Sequence, residues 1–181
     1  MKTVVIYKSK TGFAKKYAQW IAEELVADIY DVSMFNPNMF TTYDTVIYGG
    51  GLYAVGINGV RYIKQNLDQL KNKKVIVFAT GMSPFREEAI SDLKNKNFTS
   101  DEQKHIQFFY LRGGFDYNKL TPLYKVLMTL LKWKIKWKIK SKKELTNDET
   151  GILASYDKPV DFTRRKNTDK IITYVNSLYE L

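Results

Sequence analysis

Hydroxyl side chains and a glycine follow the first apolar run of the chain, at residues 3–7. The residues that come next are Ser9, Lys10, Thr11, Gly12, Phe13 and Ala14, and apolar residues at helical spacing begin among them. A glycine lets the chain turn tightly, and the first turn of a helix offers free N–H groups and the positive end of its dipole. This combination predicts a phosphate-binding turn, although it is not the G-x-x-x-x-G-K-[ST] loop. An ordinary turn with a hydroxyl cap is the alternative.

Three glycines follow the third apolar run, at residues 45–48. The stretch continues as Gly49, Gly50, Gly51, Leu52, Tyr53 and Ala54, and it formally matches the dinucleotide pattern G-x-G-x-x-A. That pattern belongs after the first strand of a sheet and opens a helix, and neither condition holds here. We therefore predict a loop whose glycines bring the backbone close to a flat ring, with Tyr53 as the stacking face. Packing of Tyr53 on its own loop is the alternative.

A third turn combines glycine with polar groups after the apolar run at residues 75–79. It contains Thr80, Gly81 and Met82, and it is predicted to touch the same ligand from the other side, with a plain loop as the alternative. The chain has one histidine and no cysteine, and no paired carboxylates lie near the three turns. We therefore assign no catalytic side chain and no metal site, and we expect a bound group to supply the chemistry.

Strand-like apolar runs and helix-like stretches alternate along the chain. Strands are predicted at 3–7, 29–32, 45–48, 75–79 and 106–111, and helices after residue 12, at 60–70 with Asn58 as N-cap, at 85–94 and from 168. This alternation predicts an α/β fold with a doubly wound five-stranded parallel sheet of order 2-1-3-4-5, in three α/β/α layers. The three turns would then meet beyond the carboxyl ends of the strands. We expect one domain over residues 1–181, with a basic insertion at about 116–160 before the final helix.

The composition bounds the class of protein. A chain of 181 residues with 44% hydrophobic residues can bury one large core and is not expected to be disordered. No run of about 18 uncharged apolar residues occurs, so no transmembrane helix is expected, and the N-terminus lacks the apolar region of a signal peptide. The absence of cysteine excludes disulfides and cysteine-ligated clusters, and a reducing cytoplasmic location is the simplest expectation.

The net charge of +10 is concentrated in one segment. Residues 117–143 contain nine lysines and no acidic residue, whereas the rest of the chain has 20 basic and 19 acidic residues. A local cluster of this kind indicates a negatively charged partner surface. A general preference for lysine would not leave the remainder of the chain nearly neutral.

Residues 131–140 of that segment read LKWKIKWKIK. Strict alternation favours a strand, but the leucines upstream fit a helix, so we expect a helix from about Thr121 that loses definition in the alternating part. Tryptophan flanked by lysine is typical of the lipid headgroup interface, here the inner face of the cell membrane. The predicted membrane or substrate contacts are Arg112, Lys132, Trp133, Lys134, Trp137 and Lys138. The alternatives are a nucleic-acid patch, for which no recognised motif is present, a solvated arm over the sheet edge, and a dimer contact.

The three turns taken together resemble the arrangement in flavodoxins. The resemblance implies one non-covalent FMN, with its phosphate at residues 9–14 and its ring flanked by residues 50–53 and 80–82. Flavodoxins usually have Thr or Ser where this chain has Ala14, so one phosphate hydroxyl is missing. The function implied is electron transfer to protein partners, although such carriers are typically acidic and this chain is basic.

A closer resemblance lies in the second half of the chain. The run from Tyr110 to Gly114, followed by Tyr117, Tyr124 and the lysine-rich stretch, is similar to the flavodoxin-like, quinone-dependent protoporphyrinogen oxidases. This resemblance implies an FMN enzyme of haem biosynthesis at the membrane surface, which oxidises a tetrapyrrole and passes electrons to a quinone. The lysines and Arg112 would meet the substrate propionates. We expect deletion of the basic segment to abolish membrane binding and to leave FMN bound. A flavin-free binding module is the third class of function.

Overall fold

The computed structural model describes residues 2–53 and 56–179. The strands are β1 (Thr3–Lys8), β2 (Asp28–Asp31), β3 (Thr45–Tyr53), β4 (Gly56–Ile57), β5 (Lys74–Gly81), β6 (Ile106–Arg112), β7 (Gly114–Phe115) and β8 (Val160–Asp161). The α-helices are α1 (Phe13–Leu25), α2 (Arg61–Gln65), α3 (Leu67–Leu70), α4 (Glu87–Asn97), α5 (Ser100–His105), α6 (Pro122–Lys140), α7 (Asn147–Asp157) and α8 (Asp169–Ser177). Ala54, the last position of the dinucleotide pattern, lies outside the described residues.

The central sheet has the strand order β2-β1-β3-β5-β6, and all these neighbours are parallel. This confirms the predicted order, because β5 and β6 are the fourth and fifth strands of the prediction. The strand β4 adds two residues that pair antiparallel with the end of β3. Strands β7 and β8 form a separate antiparallel pair.

Alternate residues of the buried strands face two separate apolar layers, as strand geometry requires. In β1, Val4 and Ile6 lie in the layer covered by α2, α3 and α4, whereas Val5 lies in the layer covered by α1 and α8. The inner strands β1 and β5 carry continuous apolar runs because both faces of the sheet are covered there, whereas the edge strand β2 reads DIYD. The fold is therefore the predicted three-layer α/β/α arrangement.

The triple glycine belongs to β3, so the prediction of a loop there is wrong. Gly49 and Gly50 pair with β1 on one side and β5 on the other. A Cβ at Gly49 would lie 2.0 Å from the ring carbon Cζ of Phe78, and a Cβ at Gly50 would lie 2.7 Å from the carbonyl oxygen of Asn58. Glycine fits both positions because atoms of a neighbouring element occupy the space that a Cβ would need. These neighbours are distant along the chain, so the contact is seen only in the folded structure.

Asn58 also differs from its prediction as a helix N-cap. The residue before α2 is Val60, and no side chain caps that helix. The backbone N–H of Asn58 donates to the carbonyl of Gly51, and its carbonyl accepts a hydrogen bond from the Tyr48 hydroxyl at 2.7 Å. Asn58 thus fixes the short hairpin at the end of β3 instead of starting a helix.

The insertion is helical throughout its basic part, so the expected loss of definition is wrong. The helix α6 continues through the alternating residues to Lys140 and packs against α7. Ile135 is 1% exposed at this contact, and the Lys138 ammonium lies 2.5 Å from the Glu149 carboxylate. Ile135 is the one buried side chain among the apolar residues of the alternating stretch. The helix nevertheless continues there, because the lysines between those residues have a good helix propensity. Within the described residues, no helix combines the length and apolar character needed to cross a membrane.

Candidate functional site

A cavity of about 410 Å³ lies beyond the carboxyl ends of β3 and β5. Eight of the residues predicted for the ligand site line it: Thr11, Phe13, Gly51, Leu52, Tyr53, Thr80, Gly81 and Met82. The sheet register explains why they meet, since Gly51 pairs with Thr80 and Gly81 pairs with Arg112 in adjacent ladders. Residues of all three segments identified from the sequence therefore meet at one cavity.

Five of the predicted ligand residues do not line this cavity, namely Ser9, Lys10, Gly12, Ala14 and Gly50. The backbone N–H of Gly12 donates to the Ser9 hydroxyl at 3.1 Å, which closes the turn before α1. Ala14 is buried, and Gly50 packs against the hairpin, so both residues contribute to the packing of the fold and not to the cavity wall. The predicted phosphate turn therefore sits beside the cavity and contributes only Thr11 and Phe13 to its wall.

The start of α1 has the electrostatic character expected of an anion site. Gly12 precedes the helix with a φ of +94°, a left-handed conformation that favours glycine. No side chain caps the helix and no acidic residue lies in its first turn. The N–H groups of that turn and the positive end of the helix dipole are therefore directed at whatever lies before the helix. Lys16 in the first turn is ion-paired with Asp161 at 3.0 Å, so it adds no uncompensated charge there.

Tyr53 lies at the boundary between the phosphate turn and the cavity. Its ring centroid is 4.8 Å from that of Tyr124, and the Lys10 ammonium lies 4.8 Å from the Tyr53 ring and 4.4 Å from the Tyr124 ring. Burial raises the pKa of the Tyr53 hydroxyl, and a hydrogen bond with the Thr11 side chain partly opposes that shift. Tyr53 is thus a neutral aromatic wall that connects the first turn with the insertion.

The insertion forms one wall of the cavity, which we call the helical roof. Its cavity-facing residues are Tyr124, Met128 and Leu131 of α6 and Ile152 of α7. The three α6 residues are four and three positions apart, the spacing of one helix face. The leucines upstream of the alternating part predicted the helix, but they did not show which of its faces meets the cavity. Because α6 lines the cavity, deletion of the basic segment would remove one wall of it, and the expectation that flavin would stay bound is still a prediction.

The turn after β5 is held by two hydrogen bonds from β6. The Tyr110 hydroxyl donates to the carbonyl of Ser83 at 2.6 Å, and Nε of Arg112 donates to the carbonyl of Met82 at 3.2 Å. The guanidinium of Arg112 also lies 3.7 Å from the Phe162 ring centroid. Arg112 therefore positions the turn and is not part of the cavity lining, so its contact with a substrate stays a prediction.

The other predicted contact residues divide between the two sides of α6. Lys138 forms the ion pair with Glu149, and the Lys132 ammonium lies 4.6 Å from the Tyr156 ring. Trp133 and Trp137 are 67% and 64% exposed, and Lys134 is exposed beside them. Only the last three residues form part of an outward surface.

Comparison with known proteins identifies the family. A family model described as a flavodoxin domain matches residues 4–142. An uncharacterized protein of Methanocaldococcus jannaschii is 34% identical over 106 residues, which span 54% of this chain and 69% of that protein.

Solved structures with similar folds include a flavodoxin from the domain Archaea, at 14% identity and a TM-score of 0.41 over 66% of this chain and 89% of that one. A flavoprotein from Lactobacillus acidophilus in complex with FMN aligns at 18% identity and a TM-score of 0.40, over 61% of this chain and 91% of that one. Such low identities and scores carry no information about the site. The family match covers most of the chain, and the chain therefore belongs to the flavodoxin-domain family.

Proposed function

We propose that this protein is an FMN-binding electron-transfer flavoprotein. The observation that supports the proposal is the junction of the cavity with the uncapped N-terminus of α1 at the carboxyl ends of the parallel strands. In open α/β sheets ligands bind at this edge, and an anionic group is stabilised by a helix N-terminus. Membership in the flavodoxin family supports the same cofactor.

The residues present fit such a cofactor. The cavity volume of about 410 Å³ lies in the range of about 300–1,000 Å³ that small-molecule sites occupy. Leu52, Tyr53 and Met82 would hold the ring, and Thr11 with the first-turn N–H groups of α1 would hold the phosphate. A bound FMN would accept and release electrons, and the chain would orient it and limit the access of water.

The absence of a hydroxyl at position 14 changes how the phosphate would be held. Ala14 is 1% exposed against the sheet, so its side chain is part of the core. The backbone N–H groups of the α1 first turn remain as donors, and charge-assisted hydrogen bonds of this kind are about twice as strong as neutral ones. We therefore expect the backbone to provide most of the phosphate binding energy.

The test of this proposal is the identity of the flavin that the purified protein carries or takes up. We expect the protein, after exposure to a mixture of FMN and FAD, to retain one flavin per chain, and that flavin to be FMN when heat releases it for chromatography. The matched variants are Gly12→Val, which strains the turn before α1 and should abolish retention of FMN, and Gly151→Val, at an α7 position where a Cβ meets nothing within 4 Å, which should not change it. Retention of FAD in preference to FMN, or of no flavin at all, would contradict the proposal.

A second candidate is an FMN enzyme that oxidises a tetrapyrrole and reduces a membrane quinone. The specific observation in its favour is the helical roof, which gives the cavity an apolar wall from Tyr124, Met128 and Leu131. Family membership supports the electron carrier more directly. The helical roof indicates an apolar ligand or partner, but it does not indicate which reaction takes place.

The two functions are separated by a turnover assay with FMN-loaded protein. An oxidase would give a quinone-dependent rise in porphyrin fluorescence from protoporphyrinogen above the rate without protein. A carrier would give no such rise and would accept electrons from a pyridine-nucleotide reductase. A protein that retains FMN and does neither would contradict both candidates while leaving the cofactor proposal standing.

A further inference from the structure

We propose that the outward face of α6 docks on an anionic lipid surface. The residues of this face, which we call the outer stripe, are Leu123, Val126, Leu127, Leu130, Trp133 and Trp137. Each of them is at least half exposed, in contrast to Ile135, which is 1% exposed on the side that faces α7. The outer stripe is therefore an apolar surface that the rest of the described chain leaves uncovered.

The outer stripe is continuous along the helix. Positions 123, 126, 130, 133 and 137 succeed one another by three or four residues, which places them on one side of an α-helix. The helix runs for 19 residues, which is about 28 Å at 1.5 Å per residue. A stripe of this length ending in two tryptophans matches helices that lie in the plane of a membrane interface, where tryptophan is enriched.

The charges around the outer stripe select the kind of surface. Lys134, Lys136 and Lys140 are exposed on the same helix, and residues 117–143 contain no acidic side chain. Lysines beside an apolar stripe can place their stems along the lipid and their ammonium groups among the headgroups. An anionic leaflet attracts each such lysine by about 1 kcal/mol, whereas a neutral leaflet does not.

The same charges argue against two other occupants. A second copy meeting the outer stripe by two-fold symmetry would bring one lysine-rich helix against another without any acid to compensate. A nucleic acid would satisfy the lysines but would leave the leucine and valine side chains of the stripe against phosphate and water. An anionic bilayer satisfies both the apolar stripe and its lysine border.

Docking would place the candidate site close to the lipid. The face of α6 opposite the outer stripe carries Tyr124, Met128 and Leu131, which line the cavity. One helix, about 10 Å in diameter, would therefore separate the bilayer from the ligand site. A partner dissolved in the membrane would have a short path to it.

The proposed attraction between the α6 lysines and an anionic leaflet is tested by the partition of the purified full chain between solution and vesicles. The vesicles contain phosphatidylcholine alone or with about one third phosphatidylglycerol, and the fraction of protein that co-sediments with them measures binding in every variant. We expect binding to the anionic vesicles, weakened as salt screens the charges. Lys134→Gln, Lys136→Gln and Lys140→Gln together should lower the partition coefficient about 100-fold, or about fivefold for each lysine.

Two matched controls separate the stripe from general effects of charge and hydrophobicity. Lys71, Lys74 and Lys96 are exposed on other elements, and their combined change to Gln alters the net charge equally. That control should change the partition by less than about threefold, since these lysines do not border the stripe. Trp133→Gln with Trp137→Gln should lower the partition at least about tenfold, whereas Met34→Gln, at a 75% exposed site elsewhere, should not change it.

Three outcomes would overturn the proposal. One is equal partition of the wild type into neutral and anionic vesicles. Another is a stable dimer in solution whose tryptophans are shielded without lipid. The third is binding to duplex DNA, lost in the triple lysine variant, together with no binding to vesicles. None of these measurements needs flavin, so a result that overturns the lipid-docking proposal would leave the cofactor proposal standing.

Discussion

The two walls of the cavity are built in different ways. On the sheet side, Gly51 and Thr80 are neighbours in a continuous parallel ladder whose strands are buried on both faces. On the roof side, α6 is positioned by a small set of contacts centred on Tyr156, whose hydroxyl donates to the carbonyl of Met128 and whose ring lies 5.6 Å from that of Tyr117. The ion pair between Lys138 and Glu149 adds one further link.

This difference assigns different roles to the two walls. The sheet wall cannot change without loss of the core, so it provides the features common to the fold: the strand ends and the start of α1. The roof can vary while the sheet remains intact, and it contributes the residues that would distinguish one partner from another. Substitutions in the sheet wall should therefore act mainly on stability, and substitutions in the roof mainly on ligand binding.

The largest effect is expected from Gly49→Ala, in the part of β3 that lies two residues before the sheet wall at Gly51. The added Cβ would lie 2.0 Å from Cζ of Phe78, whose ring is fully buried, so the core must shift to accept it. Overpacking of this kind typically costs about 1–3 kcal/mol, and we expect the upper end. Urea unfolding followed by circular dichroism measures the change.

The control is Gly51→Ala, the same substitution two residues along the same strand. A Cβ there would make ordinary contacts, the nearest at 3.4 Å from a ring carbon of Tyr53. We expect a change in the free energy of unfolding within about 0.5 kcal/mol. Equal losses at both positions would mean that the close approach at Gly49 does not exist.

A smaller effect, on binding and not on stability, is expected from Tyr124→Ala in the roof. The variant removes the ring that contacts both Tyr53 and the Lys10 side chain. An aromatic pair contributes about 0.5–1.5 kcal/mol beyond its buried area, so FMN affinity should fall about tenfold. Fluorescence titration of FMN measures it.

The matched control is Trp133→Ala, an aromatic truncation on the outward side of the same helix. Trp133 is 67% exposed and does not line the cavity, so FMN affinity should stay within about twofold. If both truncations lowered the affinity equally, the effect would come from the helix as a whole and not from the wall of the cavity.

The sequence was sufficient to predict the sheet wall because its signals are local. Residues 75–79 form a continuous apolar run, as a strand buried on both faces must. The prediction of a turn at Thr80 and Gly81 is wrong, because the strand continues through both residues, but they still lie at its carboxyl end. The triple glycine was misplaced in a loop because the reason for it is not local. Phe78 on the neighbouring strand occupies the space where a Cβ of Gly49 would lie.

The roof could not be predicted because α6 has two apolar faces at helical spacing. Leu123, Leu127 and Leu130 repeat at the same intervals as Tyr124, Met128 and Leu131, and local sequence does not show which set meets the sheet. The structure exposes the first set and places the second on the cavity. A tyrosine, a methionine and a leucine thus meet the cavity, whereas the exposed leucines and tryptophans form the outer stripe.

The smallest effect is expected at the ion pair of the roof and depends on pH. A hydrogen bond from the Lys138 ammonium holds the pKa of the Glu149 carboxyl below its usual value of about 4.5. A lowered pKa means that the contribution to stability is present above the unfolded-state pKa and is lost as the pH falls through the folded-state pKa. We therefore expect the hydrogen-exchange protection factors of α7, which correct for the intrinsic pH dependence of exchange, to fall at acidic pH before those of β3 and β5.

The variant Lys138→Met tests the cause of that pH dependence. Without the ammonium, the Glu149 pKa should return toward its usual value, which carboxyl NMR titration measures directly. The fall in the α7 protection factors on acidification should then be absent. An unchanged Glu149 pKa in this variant would show that the ion pair does not form in solution.

The most direct test of the proposed site compares the affinities of FMN and riboflavin for the wild-type chain by fluorescence titration. The two ligands share the ring and differ in the phosphate, so their difference isolates the start of α1. Hydrogen bonds to a charged group contribute about 1.5–3 kcal/mol each, so we expect FMN to bind at least about 100-fold more tightly. Equal affinities, or no binding of either ligand, would contradict a flavin site whose phosphate is held by the N-terminus of α1.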